Sequence, residues 1–270
     1  MKKQFKLGVI GCGFMAQSIL KGVVLSDFLH EKKIIVSDKS EECLDSVEYL
    51  GVRRTLDNRY VAENCEFLLL AVKPQNIEEA VKSIEGCKVE KVISVMAGVK
   101  KSAIKSAFNY GNMKVARCMP NLPCSIGSGA LGVDMSDFND NLDDIEFISN
   151  AFNCLGTVLS VDESKMDAVT GISGSGPAYV FMFIDSLVDA GVKHGLTRDE
   201  AKILAVQTVI GSAEMIENSQ SSIPELVKQV CSKGGTTIEA VKVLEENNFR
   251  GIIFDTVAAC VKRSKELSDK

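Results

Sequence analysis

Histidine is scarce in this chain, with only His30 and His194 among 270 residues. Chemistry built on an imidazole base has little to draw on, and His194, standing before Gly195, suits a helix end better than a catalytic role. The nine cysteines are odd in number and scattered without a CxxC pair, so neither a disulfide framework nor a zinc site is indicated. They read as small core residues in a reducing cytoplasm. A long apolar run is missing as well: the best candidate is broken by Gln17, Ser18 and Lys21, short of the roughly 18 residues a membrane span needs. The apolar segment before Cys12, residues 7–11, is also too short for a lipoprotein-type signal. These features point to a soluble protein. There is no basic excess either. A net charge of −5 and an isoelectric point near 5.3 give no long-range attraction for nucleic acid or anionic lipid. An anionic ligand must be held locally, by devices such as helix ends. No internal repeat or low-complexity linker occurs, and the length suits two domains.

What is present begins at Leu7. Leu7-Gly8-Val9-Ile10 reads as a strand, Gly11-Cys12-Gly13 breaks it, and an amphipathic run follows. The result is Gly11-x-Gly13-x-x-Ala16, the dinucleotide fingerprint with alanine in its third place and Cys12, Phe14 and Met15 between. Gly11 permits a sharp turn, Gly13 lets a pyrophosphate approach the backbone, and Ala16 lets helix and strand lie close. The helix start offers free N–H groups to phosphates. A second strand, Lys33-Ile34-Ile35-Val36-Ser37, ends at Asp38. An acid about 20 residues beyond the fingerprint bonds the ribose 2′-OH of NAD. Ser37, Lys39 and Ser40 surround it and could instead hold the 2′-phosphate of NADP, and a solvated turn is the plainer alternative.

Further apolar runs, 67–72, 92–97, 113–118 and 155–159, alternate with helical segments at 77–84 and 100–108. Runs apolar on both faces suit a mostly parallel sheet covered by helices, an α/β doubly wound domain over residues 1–161. Ligands on such sheets bind beyond the carboxyl ends of the strands, which groups 11–13, 37–40, 71–74 and 97–98 along one edge. Residues 162–270 read as helices only. Gly176-Pro177 opens one, with Val180, Phe183, Ile184, Leu187, Val188 and Gly191 on a face. Thr197-x-x-Glu200 is a capping box opening the next. That helix is apolar on two sides (Ala201, Leu204 and Ala205 on one, Ile203, Val206 and Ile210 on the other), which predicts a subunit interface.

Two glycine-rich stretches in this half could meet an anion. Gly171-Ile172-Ser173-Gly174-Ser175-Gly176-Pro177 offers N–H groups and two hydroxyls suited to a carboxylate; an ordinary loop before a capped helix is the alternative. In Ser232-Lys233-Gly234-Gly235-Thr236-Thr237-Ile238-Glu239, the spacing Thr236-x-x-Glu239 predicts a capping box with Thr236 as N-cap. Thr237 would then head the face carrying Ala240, Val241 and Leu244, with its hydroxyl inward. A buried hydroxyl needs a partner, and either a backbone carbonyl or a ligand would serve.

At these residues the chain closely resembles the pyrroline-5-carboxylate reductase family. The resemblance runs almost end to end, through Ile10-Gly11-Cys12-Gly13-Phe14-Met15-Ala16, Leu70-Ala71-Val72-Lys73-Pro74-Gln75, Ala97-Gly98-Val99 and Arg117-Cys118-Met119-Pro120-Asn121. Its most specific parts are 168–179 and 232–239. It implies a Rossmann domain, a helical dimerisation domain, and dimers that build larger rings such as a decamer. It also implies an active site between the domains, reducing a cyclic imine carboxylate to L-proline with NADPH. By resemblance, Ser232, Lys233, Gly234, Gly235 and Thr236 surround the substrate carboxylate, with Ser173 and Ser175 as further substrate residues, and Thr237 bonds the imine nitrogen. Asn58 matches a cofactor contact, and Ala71, Val72, Lys73, Pro74, Ala97 and Gly98 match the nicotinamide side. One departure concerns the cofactor. Where the family commonly carries a serine or an Asn-Arg-like pair, this chain has Ser37-Asp38-Lys39-Ser40, which makes NADH usable beside NADPH. A β-hydroxyacid dehydrogenase would need a lysine in the helix opening 173–179, which holds none. A sensor that binds NAD(P)H without turnover is the remaining alternative.

Overall fold

The computed structural model describes residues 3–108 and 112–268. From the start, strands and helices alternate: β1 (Phe5–Ile10), α1 (Phe14–Leu25), β2 (Ile34–Ser37), α2 (Glu41–Asp45), β3 (Arg53–Thr55), α3 (Asn58–Asn64), β4 (Cys65–Leu70), α4 (Ile77–Lys82), β5 (Lys91–Ser94), α5 (Lys101–Phe108) and β6 (Lys114–Met119). Then come β7 (Gly129–Asp134), α6 (Leu142–Asn153), β8 (Gly156–Ser160) and α7 (Met166–Val169), followed by a π-type turn, Thr170–Gly174. The rest is helical: α8 (Gly176–Lys193), α9 (Arg198–Asn218), α10 (Ile223–Val230), α11 (Thr236–Glu246) and α12 (Phe249–Ser268).

The strands form one sheet in the order β3-β2-β1-β4-β5-β6-β7-β8. β1 to β6 run parallel, β7 is antiparallel to β6, and β8 is parallel to β7. Along β4, Phe67 and Leu69 enter the core on one face while Leu68 and Leu70 enter the core on the other. A strand buried on both faces has no polar side to show, so it appears in the sequence as an unbroken apolar run. The strand order reverses on either side of β1, and this switch point is where such sheets open a crevice.

Two strands escape sequence reading. β3, Arg-Arg-Thr, is a polar edge strand, and β7 (Gly-Ala-Leu-Gly-Val-Asp) is too rich in glycine for a β-forming pattern. Gly132 is glycine because a Cβ there would stand 2.7 Å from Val169 Cγ1.

By packing, the chain divides into two units, one running to Ser175 and resuming at Cys260, the other Gly176–Ala259. The last turns of α12 thus belong with the sheet: Ser264 Oγ donates to Asp167 Oδ1 at 2.6 Å. In the second unit α8 and α9 pack on Val188, Ala201 and Ala205, with a close approach at Gly191, where a Cβ would meet Ala201 Cβ at 2.8 Å. The capping box Thr197–Glu200 opens α9 as its spacing predicts. Ile203, Leu204 and Ile210 remain exposed in the single chain.

The opening of α11 departs from expectation. Gly235, not Thr236, is the N-cap, no side chain caps it, and Glu239 pairs with Lys242 at 2.7 Å. The reason is local: Gly234 turns back at φ +73°, the Gly235 N–H donates to Ser232 O, and the helix can begin only after that turn. The face headed by Thr237 is not buried within one chain either; Thr237 and Val241 are half-buried and Leu244 is exposed.

Candidate functional site

The fingerprint loop is fixed from both sides. Gly11 N–H donates to Ser37 O at 2.8 Å, and Ala71 N–H donates to Ile10 O at 2.9 Å, joining the ends of β1, β2 and β4. Gly11 has φ +97°, and a Cβ there would lie 2.7 Å from Ala71 O, so only glycine fits. Gly13 differs: a Cβ there would meet nothing within 4 Å, so the loop faces open space. Gly13 is also the N-cap of α1, with no side-chain cap and no acid in the first turn. That combination leaves N–H donors and the positive helix end for a phosphate. Phe14 is exposed and Met15 half-buried, while Ala16 is fully buried against the core.

Cys12 carries no nucleophile. Its thiol is buried and donates to Cys43 O at 3.2 Å. Burial, with Asp38 and Cys43 nearby, pushes its pKa up to about 12. Its contribution is the backbone: the Cys12 N–H donates to Asp38 Oδ2 at 2.7 Å, and the Ser40 N–H donates to Asp38 Oδ1 at 2.9 Å. The carboxylate is thereby pinned over the fingerprint loop.

Ser37 is buried at the end of β2, and its hydroxyl donates to Asn58 Oδ1 at 2.7 Å. Asn58 Nδ2 in turn donates to Ser83 Oγ at 2.9 Å, so two hydroxyls set the orientation of the amide. Gly11, Gly13, Asp38, Lys39, Asn58, Ala71, Val72 and Lys73 line one cleft of about 360 Å³. Sequence reading missed its opposite wall, made by Asn76, Glu79, Ala80 and Ser83 at the start and along the length of α4. Their spacing of i, i+3, i+4 and i+7 was the available signal, since it places a small and polar stripe on one helix face. A larger depression, about 850 Å³, follows edge strand β3, but its Arg54 is already paired with Asp45 and Glu48.

Not every expected residue joins this cleft. Pro74 begins the turn Pro74–Asn76 that leads into α4. Gly98 is buried with φ +74°, and a Cβ there would stand 3.0 Å from Leu267 Cβ of α12. Its glycine therefore serves backbone shape and the docking of that helix end. Ala97 is half-buried beside it. The hydroxyls of Ser173 and Ser175 face inward: Ser173 Oγ donates to Val169 O at 3.0 Å, and Ser175 Oγ lies 3.1 Å from Cys260 Sγ. The π-type turn is tied to the sheet by buried Asn121, whose Nδ2 donates to Ser173 O at 3.1 Å. π-type turns recur at functional sites.

In the second unit, Ser232, Lys233 and Gly234 are exposed ahead of the α11 start. The first-turn N–H groups of Thr236 and Thr237 have no side-chain cap, and the Thr237 hydroxyl has no hydrogen-bond partner among the described residues. A helix start with unspent donors and a free hydroxyl can accept a carboxylate and orient one polar atom beside it.

Comparison with known proteins agrees with this geometry. Residues 6–98 match the family described as NADP oxidoreductase, coenzyme F420-dependent. Residues 163–267 match the family described as pyrroline-5-carboxylate reductase dimerisation. Among curated relatives, the pyrroline-5-carboxylate reductase of Synechocystis is 39% identical over 267 residues, covering 98% of this chain and 99% of the relative. That of Arabidopsis thaliana is 37% identical, covering 98% and 96%. The solved pyrroline-5-carboxylate reductase of Coxiella burnetii superposes with TM-score 0.89 at 34% identity, over 99% of both chains. The Plasmodium falciparum enzyme, solved with NADP bound, gives 0.87 at 30% identity, over 99% and 100%.

Proposed function

This chain belongs to the pyrroline-5-carboxylate reductase family, an imine reductase of the last step of proline biosynthesis, and we propose how its own residues serve that reaction. The cleft at the ends of β1, β2 and β4 holds the nicotinamide dinucleotide. The space in front of Gly13, where a Cβ would stand, fits a pyrophosphate, and the bare start of α1 supplies its donors. When bound, the reduced nicotinamide supplies a hydride to the carbon of the C=N bond.

The rest falls to the chain. The turn 232–237 receives the substrate carboxylate on the N–H groups at the start of α11, with Ser232 and Thr236 as hydroxyl partners. The half-buried Thr237 hydroxyl orients the ring nitrogen. Cyclic imines are basic enough to arrive protonated, so the nitrogen ends as an amine without a strong protein acid. That suits a chain with two histidines. Positioning the ring is then the main contribution the protein must make. Ser173 and Ser175 hold the turn Thr170–Gly174 in shape through their contacts with Val169 and Cys260.

For the cofactor, NADPH is the reading the family favours, and NADH is also turned over because the pinned Asp38 carboxylate suits an unphosphorylated ribose. The apolar residues left exposed on α9 serve self-association, which the match to a dimerisation family supports. A decamer built from such dimers is the larger assembly proposed. All nine thiols are free, which suits a reducing cytoplasm. No helix among the described residues is long and apolar enough to cross a membrane.

The observation that carries this reading is the cleft itself, which gathers the fingerprint glycines, Asp38, Asn58 and Lys73 in a chain alike to these reductases over its full length. The test is absorbance at the nicotinamide band with Δ1-pyrroline-5-carboxylate and either cofactor. Rapid imine-dependent oxidation is expected. Saturable cofactor binding without turnover would transfer the protein to the sensor reading.

A further inference from the structure

Lys39 and Glu79 face each other across the cleft. Lys39 follows β2 and Asp38, Glu79 stands on α4, and both line the cavity that holds the fingerprint glycines. Their charged ends are 3.4 Å apart, with the side chains 75% and 70% exposed. Lys39 is the cation next to the pinned Asp38, and an ammonium already facing a carboxylate is not free to meet a phosphate.

We propose that Glu79 sets the preference between phosphorylated and unphosphorylated dinucleotides by competing with the 2′-phosphate for Lys39. This rests on the reading of the cleft as the adenosine end of the cofactor site. Two states follow. With an unphosphorylated ribose, Lys39 stays on Glu79 and Asp38 meets the ribose hydroxyls. With a 2′-phosphate, Lys39 must leave Glu79, and the phosphate then sits among the Asp38 carboxylate, the abandoned Glu79 carboxylate and one ammonium. Glu79 therefore acts twice against the phosphate, as a rival for the cation and as a like charge.

The exposure of the pair determines the size of the effect. An exposed ion pair contributes little, so Glu79 tunes the preference without fixing it; freeing Lys39 corresponds to roughly a three- to fivefold change in affinity. Asp38 is different, because two backbone N–H groups hold it; it cannot swing away from a bound phosphate. Lys73 also lines the cleft and is the rival source of positive charge. A spectator role for Glu79, as a solvated residue of an amphipathic helix, predicts no discrimination between ligands that differ only at the 2′ position.

The test uses the whole protein and two fragments that cannot be reduced, adenosine 2′,5′-bisphosphate and adenosine 5′-monophosphate. Calorimetry gives their dissociation constants for the wild type, Glu79→Gln, Lys39→Met and the double variant. Glu79→Gln should tighten the bisphosphate about three- to fivefold and leave the monophosphate within about twofold. The gain should shrink in the double variant, where only the like-charge part is left, and shrink further as salt rises. An equal gain for both fragments would overturn the proposal, because Glu79 would then act on the adenosine as a whole. A gain undiminished in the double variant would overturn it, because Glu79 would then act without Lys39. If no form binds either fragment while NADPH still binds, the adenosine end lies elsewhere, and the reading of the cleft fails together with the proposal.

Discussion

The carboxylate of Asp38 and the backbone N–H of Cys12 lie 2.7 Å apart, so the end of β2 is hydrogen-bonded to the middle residue of the fingerprint loop. An acid at this position is usually discussed as a reader of the ribose. Here it also holds the loop, and the two roles can be separated. An asparagine keeps one oxygen for the Cys12 N–H but loses the charge, and its NH2 cannot accept the Ser40 N–H, so one of the two bonds is given up. Asp38→Asn should cost stability by about one local hydrogen bond and raise the ratio of kcat/KM for NADPH over NADH by roughly 5- to 30-fold, the effect of removing about 1 to 2 kcal/mol of like-charge repulsion. Initial rates with both cofactors decide this. An unchanged ratio would mean that Asp38 serves the loop alone.

Thr237→Ala removes a hydroxyl that has no protein partner among the described residues, so no internal bond is lost with it. Turnover should fall by at least ~10-fold, the low end for a lost orienting or proton-handling group, with the dissociation constant of the cofactor unaltered. Near-normal kcat in this variant would reduce Thr237 to a residue of the helix start.

Lys101 is the centre of a buried ionic network. Its ammonium donates to Asp134 Oδ1 at 2.9 Å, to Ser136 Oγ at 2.7 Å and to Asp137 Oδ1 at 3.1 Å, tying α5 to the strand ends. Burial alone would lower its pKa, but the bonds to Asp134 and Asp137 outweigh burial and raise it. Burial likewise favours protonated carboxyls at Asp134 and Asp137, yet the N–H groups and ammonium groups around them hold both below the usual range. Lys101→Met leaves Asp134 buried without its cation and should cost about 3–5 kcal/mol at neutral pH, measured by urea unfolding at fixed protein concentration. The sign of the pH effect follows from the depressed carboxyls. Their stabilisation is complete above the unfolded value of about 4 and is lost as pH falls through the lower folded values. Wild type should lose stability steeply there and Lys101→Met less so; parallel acid limbs would show that the network is not what fails in acid.

Gly98→Ala tests why the loop after β5 carries glycine. The residue would be forced to φ +74°, at roughly 1–2 kcal/mol, and its methyl would press on Leu267. In a Leu267→Gly background, which removes the Cβ that the new methyl would meet, the steric part should disappear while the backbone part remains. If the two substitutions were simply additive in thermal unfolding, contact with α12 would play no part at this position.

Leu204 is 57% exposed on α9 beside the buried Ala205. Leu204→Glu should convert dimer to monomer in light scattering at micromolar concentration, with circular dichroism of the sheet unit retained. A variant that stays dimeric would move the interface to another face of the helical unit.

Much of this architecture is written in local patterns. Strands β1, β2, β4 and β5 are legible because a strand covered on both faces is apolar over most of its length. The fingerprint is legible because a sharp turn and a close backbone approach admit almost nothing but glycine at 11 and 13. The capping box of α9 follows from spacing alone, since its two hydrogen bonds lie within one turn. Where a neighbour in space decides the outcome, the sequence has no local signal. The cap of α11 is a local exception, falling to Gly235 because the turn at Gly234 fixes where the helix can begin. Gly132 and Gly98 are glycines because Val169 and Leu267 arrive from distant segments. Ser173 and Ser175, attractive as free hydroxyls in the sequence, are engaged by Val169 and Cys260 once the π-type turn forms. The face that α4 turns to the cleft, with Glu79 opposite Lys39, exists only because the sheet brings β2 and β4 to either side of β1. Periodicity, caps and turns act over a few residues and survive in one dimension, whereas contacts between segments far apart in sequence, such as Lys39 with Glu79, depend on the topology of the sheet.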